Sequence, residues 1–229
     1  IVPLEGTAAE LCTPWAPDYT VEFAVCRAEG ARVTPVVSPD TSALILGLIE
    51  GAQESIAIEQ AYITNETGHD LNPYLAAAID ASRRGVAVRV LLDSAWFNTE
   101  GDADNDEMVG VINRFAAAEG LPLEARLADL EANDLDKIHN KGVIVDGRTV
   151  LVSSINWNAN SPAFNREAGV IIEHPDIAAY YTGVFEDDWN VSNEEGAGGA
   201  PGPDRLKIVA AACILAGLTG LYLYRRRRT

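Results

Sequence analysis

The feature that most constrains the fold is the regular alternation of β runs and helical segments between Val33 and Trp189. Val33–Val37, Ser55–Tyr62, Val86–Leu92, Leu121–Leu127 and Ala168–Ile172 have the alternating or β-branched character of strands. Ala43–Gln53, Pro73–Arg84, Met108–Ala118 and Pro175–Trp189 have the apolar spacing of helices. The punctuation agrees. Pro73 opens its helix, and Gly85 and Gly120 end two of them. Between the last two helices, two apolar β runs flank Asp146-Gly147, a dipeptide suited to a tight hairpin turn. Strands and helices in this order predict an α/β domain, with helices covering a mixed sheet. No internal repeat is visible.

The domain is expected to span residues 33–192. Residues 1–32, broken by Pro3, Pro14 and Pro17, read as a linker or N-terminal extension, or as a cap closed by a Cys12–Cys26 disulfide. Two free, buried thiols are the other reading of those cysteines. The first residue is Ile rather than Met, which suggests that something upstream has been removed. Residues 193–205 form a Gly/Pro-rich linker. Beyond it, Ile208–Tyr224 is 17 residues without a charge, followed by Arg225–Arg228. Seventeen helical residues rise about 25 Å, so 206–224 is expected to be a single transmembrane helix. The basic tail 225–229 then lies in the cytoplasm and the domain outside the cell. Two sequons, Asn65-Glu66-Thr67 and Asn190-Val191-Ser192, would be open to glycosylation there, or are chance.

The formal charge is −17, and six of the 17 basic residues lie in the last 25 positions. Up to Asp204, 11 bases face 34 acids, a net charge of −23. Such acidity serves solubility, or else a halophile's surface hydrated at high salt. It makes the domain a poor electrostatic partner for nucleic acid at low salt, an objection that molar salt would screen. His69, His139 and His174 have no ligand-like spacing and no Cys/His cluster occurs, so neither metal nor cofactor is expected.

The chemistry concentrates at the central hairpin. His139 and Lys141 stand two residues apart at its start, and Ser154 and Asn156 two apart at its end. Residues two apart on a strand share a face. If the strands pair around Asp146-Gly147, a nucleophile or general acid, a cation and two hydrogen-bonding groups converge, as phosphate chemistry requires. This order of His139, Lys141 and Asp146, then Ser153-Ser154-Ile155-Asn156 and Asn165-Arg166-Glu167, resembles the HKD signature of the phospholipase D superfamily over roughly 33–192. The family usually has Gly where Ser153 stands.

The resemblance implies an α-β-α sandwich and a phosphodiesterase working through a phosphohistidine. Lys141 and Asn156 would hold the phosphoryl oxygens, Ser154 would assist, and Glu167 would orient His139 by accepting from its other ring nitrogen. Asp146 would be a structural turn residue. Trp157 reads as core filling, or as packing beside the site. His69 and His174 lack a following x-Lys and read as surface or loop residues. The family's site uses two such motifs, and this chain has one. The second is expected from a missing N-terminal half, with a homodimer as the alternative. A membrane-anchored enzyme acting on phospholipid head groups is the leading expectation. An extracellular endonuclease and a non-catalytic surface-binding module are the others.

Overall fold

The computed structural model describes residues 22–65, 71–100 and 104–191. The predicted linker, membrane span and basic tail lie outside the described residues, as do Cys12 and His69. No helix among the described residues is long and apolar enough to cross a membrane.

Seven strands form one sheet: β1 (Arg32–Val37), β2 (Ser55–Gln60), β3 (Ala87–Leu92), β4 (Leu123–Leu127), β5 (Lys141–Val145), β6 (Thr149–Ser153) and β7 (Ala168–Glu173). Among the described residues five helices accompany them: α1 (Leu44–Glu50), α2 (Pro73–Arg83), α3 (Trp96–Thr99), α4 (Asn105–Glu119) and α5 (Pro175–Val191). The sheet order is β1-β7-β6-β5-β2-β3-β4. β2, β3 and β4 are parallel, because α2 and α4 carry the chain back between them; the remaining pairs are antiparallel. The sheet is therefore mixed, as expected.

Strand parity divides the core in two. Ile56, Ile58, Val88, Val90, Val143, Val145 and Leu151 pack with Ile45, Ile49, Leu75, Ile79 and Ile112 from α1, α2 and α4. Ala57, Leu91, Ile144, Val150 and Val152 pack with Phe185 and Trp189 of α5. The two α5 rings stack 5.5 Å apart, and the Arg126 guanidinium lies 4.0 Å over Trp189. Trp157 is fully buried in the first cluster, against Tyr74, so it fills the core.

Among the differences from the sequence reading, three bear on the packing around the sheet. α1 ends at Glu50 rather than Gln53. The Asp146 carboxylate accepts the N–H groups of Gln53, Glu54 and Ser55 at 2.7–3.2 Å, pulling this segment out of the helix and into β2. Trp96–Thr99, between β3 and the helix expected from Met108, forms the short helix α3. α4 begins at Asn105, ahead of Met108, and buried Asn105 donates to the carbonyls of Ala61 and Asp93.

The registers set Gln60 beside both Leu92 and Lys141, Gly142 beside Val152, Ser153 beside Gly169, and Val37 beside Ala168. All these strand ends therefore meet at one end of the sheet, and His139, Lys141, Ser154 and Asn156 lie there, while Asp146 turns the hairpin at the opposite end.

Candidate functional site

The hairpin that presents the motif closes at Asp146 and Gly147, with φ of 52° and 58°, and the Arg148 N–H returns to the Val145 carbonyl. Two consecutive positive φ values are the mark of a primed turn, which Asp-Gly accommodates at little cost. Asp146 has a second task, since its three N–H donors fasten the hairpin to the start of β2. Burial pushes its carboxyl up, but those donors and Arg148 hold it below the ordinary value.

Lys141 is the first residue of β5 and is 4% exposed. Its Nζ donates to the His139 carbonyl at 2.7 Å. His139 lies ahead of the strand rather than on it. The Asn140 carbonyl takes the Ala61 N–H, and His139 stands exposed past the sheet's end. Burial, followed by the charges of Lys141 and Lys137, lowers the His139 pKa against the opposing pull of Asp93. Burial and Lys137 bring Lys141 down to about 8, with Glu167 and Asp93 opposing. The site therefore favours a neutral imidazole beside an ammonium that is easier than usual to deprotonate.

Glu167 is held by hydroxyl and amide donors of this chain. Its Oε2 accepts the Ser154 hydroxyl at 2.5 Å, and its Oε1 accepts Ser161 and Asn165, each at 3.1 Å. Among the described residues the His139 ring makes no hydrogen bond with it. Glu167 sits just ahead of β7, within reach of the β6 end where Ser154 lies, and those hydroxyl and amide donors take up its oxygens. They hold its pKa down, the Ser154 bond contributing most, and Lys141 acts in the same direction. Ser161 also accepts the Asn156 N–H at 3.0 Å. The Asn156 Oδ1 is buried without a partner among the described residues. The Ser154 hydroxyl accepts the Ala168 N–H, so its proton stays directed at Glu167.

Asp93 escaped the sequence reading. It is fully buried, its Oδ1 accepts the N–H of Ile138 at 2.7 Å, and its Oδ2 accepts Asn98 at 2.7 Å and the Ala95 N–H at 3.2 Å. It thus anchors the residue directly before His139. The available signal was an acid closing the apolar run Val90-Leu91-Leu92.

On the α5 face, Asn140 donates to Glu59 at 2.9 Å, and Glu59 shares a hydrogen bond with Asp188 of α5. Burial, then the Asp188 charge, pushes Glu59 up to about 7. Burial, then Asp187, pushes Asp188 up to about 6, and Asn133 donates to it. His174 accepts the Asp176 N–H at the start of α5, away from the motif. Of the expected disulfide, Cys12 lies outside the described residues; the Cys26 thiol is free and contacts the Asp176 carbonyl at 3.9 Å. Among the described residues no group of three or more His, Cys, Asp and Glu is arranged to hold a metal ion.

Residues 45–189 match the family model for the cardiolipin synthase, phospholipase D-like domain. Cardiolipin synthase B of Salmonella typhi is 31% identical over 138 residues, covering 57% of this chain and 32% of that protein. A phospholipase D of Rickettsia bellii is 26% identical over 171 residues, covering 72% of this chain and 73% of that one. The crystal structure of Nuc, a phospholipase D family member from Salmonella typhimurium, superposes with a TM-score of 0.55 at 26% identity, over 70% of this chain and 95% of Nuc. The chain spans between about a third and three fifths of the length of the first relatives it matches.

Proposed function

The chain belongs to the phospholipase D-like domain family, and from that membership we propose that it is a phosphodiesterase acting on phospholipid head groups. One observation carries the reading: an exposed His139 with a lowered pKa stands directly beside a buried Lys141 ammonium. A neutral imidazole nitrogen can attack phosphorus while the adjacent cation meets the charge growing on the non-bridging oxygens. The P–O bond to the leaving alcohol breaks as the N–P bond forms. A second histidine, from another copy of the motif, protonates the leaving oxygen and then deprotonates the water or alcohol that releases the phosphoryl group. In this reading Asn156 is the second ligand of the phosphoryl oxygens, through the N–H groups of its side-chain amide. Ser154 transmits the Glu167 charge to the same region.

The names of the relatives favour lipid: cardiolipin synthase, cardiolipin hydrolase and phospholipase D. The apolar run 208–224 serves as a tether that keeps the domain at a bilayer surface, with the second motif in an N-terminal half or a second copy. The test compares turnover of phosphatidylglycerol and cardiolipin vesicles with that of a short oligonucleotide, at low and molar salt. Lipid turnover is expected to dominate, and His139→Ala to reduce it by about three orders of magnitude or more. Undiminished turnover by His139→Ala would sink the mechanism. Preference for the oligonucleotide would sink the lipid assignment alone.

A further inference from the structure

Strand parity puts Ile56, Ile58 and Gln60 of β2 on the face that packs against α1, α2 and α4, and only Gln60 is polar. Gln60 is fully buried, and neither its Oε1 nor its Nε2 has a hydrogen-bond partner among the described residues. No other described side chain leaves both an acceptor and a donor buried in this way. Such a carboxamide destabilises the fold, and an apolar residue would continue the core. Its place is specific, however. Gln60 stands opposite Lys141 in the register, and paired residues of neighbouring strands share a face. The Ala61 N–H donates to the Asn140 carbonyl, so the next pair along, Gln60 with Lys141, is the kind without ladder hydrogen bonds, in which side chains approach most closely. Lys141 is itself buried, and of the three donors on its ammonium one meets the His139 carbonyl. A buried lysine with donors to spare thus lies beside a buried amide with an acceptor to spare.

We infer that Gln60 is a positioning residue of the phosphodiesterase site: its carboxamide oxygen accepts from the Lys141 ammonium and fixes the direction of that group as it turns from the His139 carbonyl to the phosphoryl oxygens. This role rests on the phosphodiesterase reading above and is independent of the alcohol that the phosphoryl group carries. A lysine is a point charge on a flexible four-carbon stem. A second fixed acceptor removes freedom that the ammonium would otherwise lose in the transition state. The charged groups that act on Lys141 are Lys137, Asp93 and Glu167, and none of them hydrogen-bonds to its ammonium among the described residues.

The probe is bis(para-nitrophenyl) phosphate, turned over by the full-length protein. Gln60→Met keeps the length of the side chain and deletes both polar atoms. It should raise Tm by about 2–4 °C, because two unpaired buried atoms are gone, and yet lower kcat/KM about tenfold to a hundredfold. The alkaline limb of kcat/KM, which Lys141 sets in the proposed mechanism, should move to lower pH because the ammonium has lost an acceptor. Gln60→Glu keeps an acceptor and adds a negative charge, so its limb should move to higher pH. A limb that is unmoved, or moves the other way, in either folded variant overturns the positioning role whatever Tm does, since an amide that only fills the core would not reach Lys141. Should Gln60→Met not fold, the direction of the Gln60→Glu limb decides alone. A wild type that turns over no phosphodiester sinks the functional reading instead. Gln60 is then judged by the pH at which inorganic phosphate ceases to raise Tm: shifts in the same two directions support its contact with Lys141, and an unmoved midpoint overturns it.

Discussion

Two glutamates flank the motif strand, and the fold holds them in opposite states. Glu167 lies beside the end of β6, where three side-chain donors and the nearby Lys141 keep its carboxylate ionised. Glu59 lies on β2 opposite Gly142 of β5, beneath α5, where burial and a second acid drive it towards the protonated form. The residue type is the same, and the donor count and solvent access differ. Glu167 is thereby a charge that the site can use. Glu59 and Asp188 form a proton-sharing link between sheet and helix. Asn140 joins the two regions, as the residue between His139 and Lys141 that donates to Glu59.

Asp93 is a third carboxylate, and removing it should produce the largest effect. Asp93→Ala strands the Ile138 and Ala95 N–H groups and the Asn98 amide. At about 1–3 kcal/mol for each buried group left unsatisfied, the domain should lose several kcal/mol. Displacing His139 by even an ångström should cost about a hundredfold in turnover. Asp93→Asn separates charge from packing. Since the Asp93 charge raises the His139 pKa, its loss should move the acid limb of the kcat/KM profile further below the ordinary histidine value of 6.5. An unmoved acid limb with turnover intact would reduce Asp93 to a structural role.

Glu167→Gln tests the ionised side of the comparison. In the proposed mechanism Lys141 must stay protonated to hold phosphoryl oxygens, so kcat/KM of the wild type should fall as pH rises through about 8. Glu167 raises the Lys141 pKa, so the variant's alkaline limb should lie lower. Turnover near neutral pH should drop about ten- to a hundredfold, within the range of general acid–base contributions. A limb that stays at the wild-type pH would mean that Lys141 does not set it.

Much of the fold was legible because each sheet layer leaves a periodic trace. The alternation of Ile56 and Ile58 with Ala57 shows in the sequence and matches the two observed layers, whereas the unbroken run Val143-Ile144-Val145 is buried on both faces and does not mark them. The motif spacing likewise identified the strand ends that meet. What escaped depends on contacts between distant residues. Asp93 meets Ile138, and Glu59 meets Asp188, across separations that no local pattern encodes. The donors around Glu167 also escaped, because Ser154, Ser161 and Asn165 meet its carboxylate only once the loop between β6 and β7 is folded. Ser153, where the family usually has Gly, shows a local departure matched across strands. A Cβ on Gly169 would approach the Ser153 Cβ to 2.6 Å and the Val152 carbonyl oxygen to 3.0 Å. Gly169→Ala should therefore cost about 1–3 kcal/mol of stability by overpacking, measured by denaturant unfolding. Ser153→Gly in the same background should recover part of that loss.

The smallest effect is expected at Glu59, where the direction of the pH dependence decides the matter. Its carboxyl titrates at about 7 in the fold against 4.5 in an unstructured chain. The native state thus binds the proton more tightly, and the stabilisation is complete below pH 4.5 and lost as pH rises through about 7. Asp188, raised from 3.8 to about 6, adds a slope of the same sign at lower pH. Glu59→Gln keeps a polar group for Asn140 and cannot ionise. Compared with wild type, it should flatten the fall in Tm between pH 5 and 8 and raise Tm at pH 8 by about 2–4 °C, equivalent to about 1 kcal/mol. Turnover should stay within about threefold, because Glu59 acts on α5 packing while Glu167 acts on Lys141. A parallel fall in Tm for both proteins would mean that Glu59 is ionised beneath α5. The two carboxylates would then share one state, and burial would not be what distinguishes them.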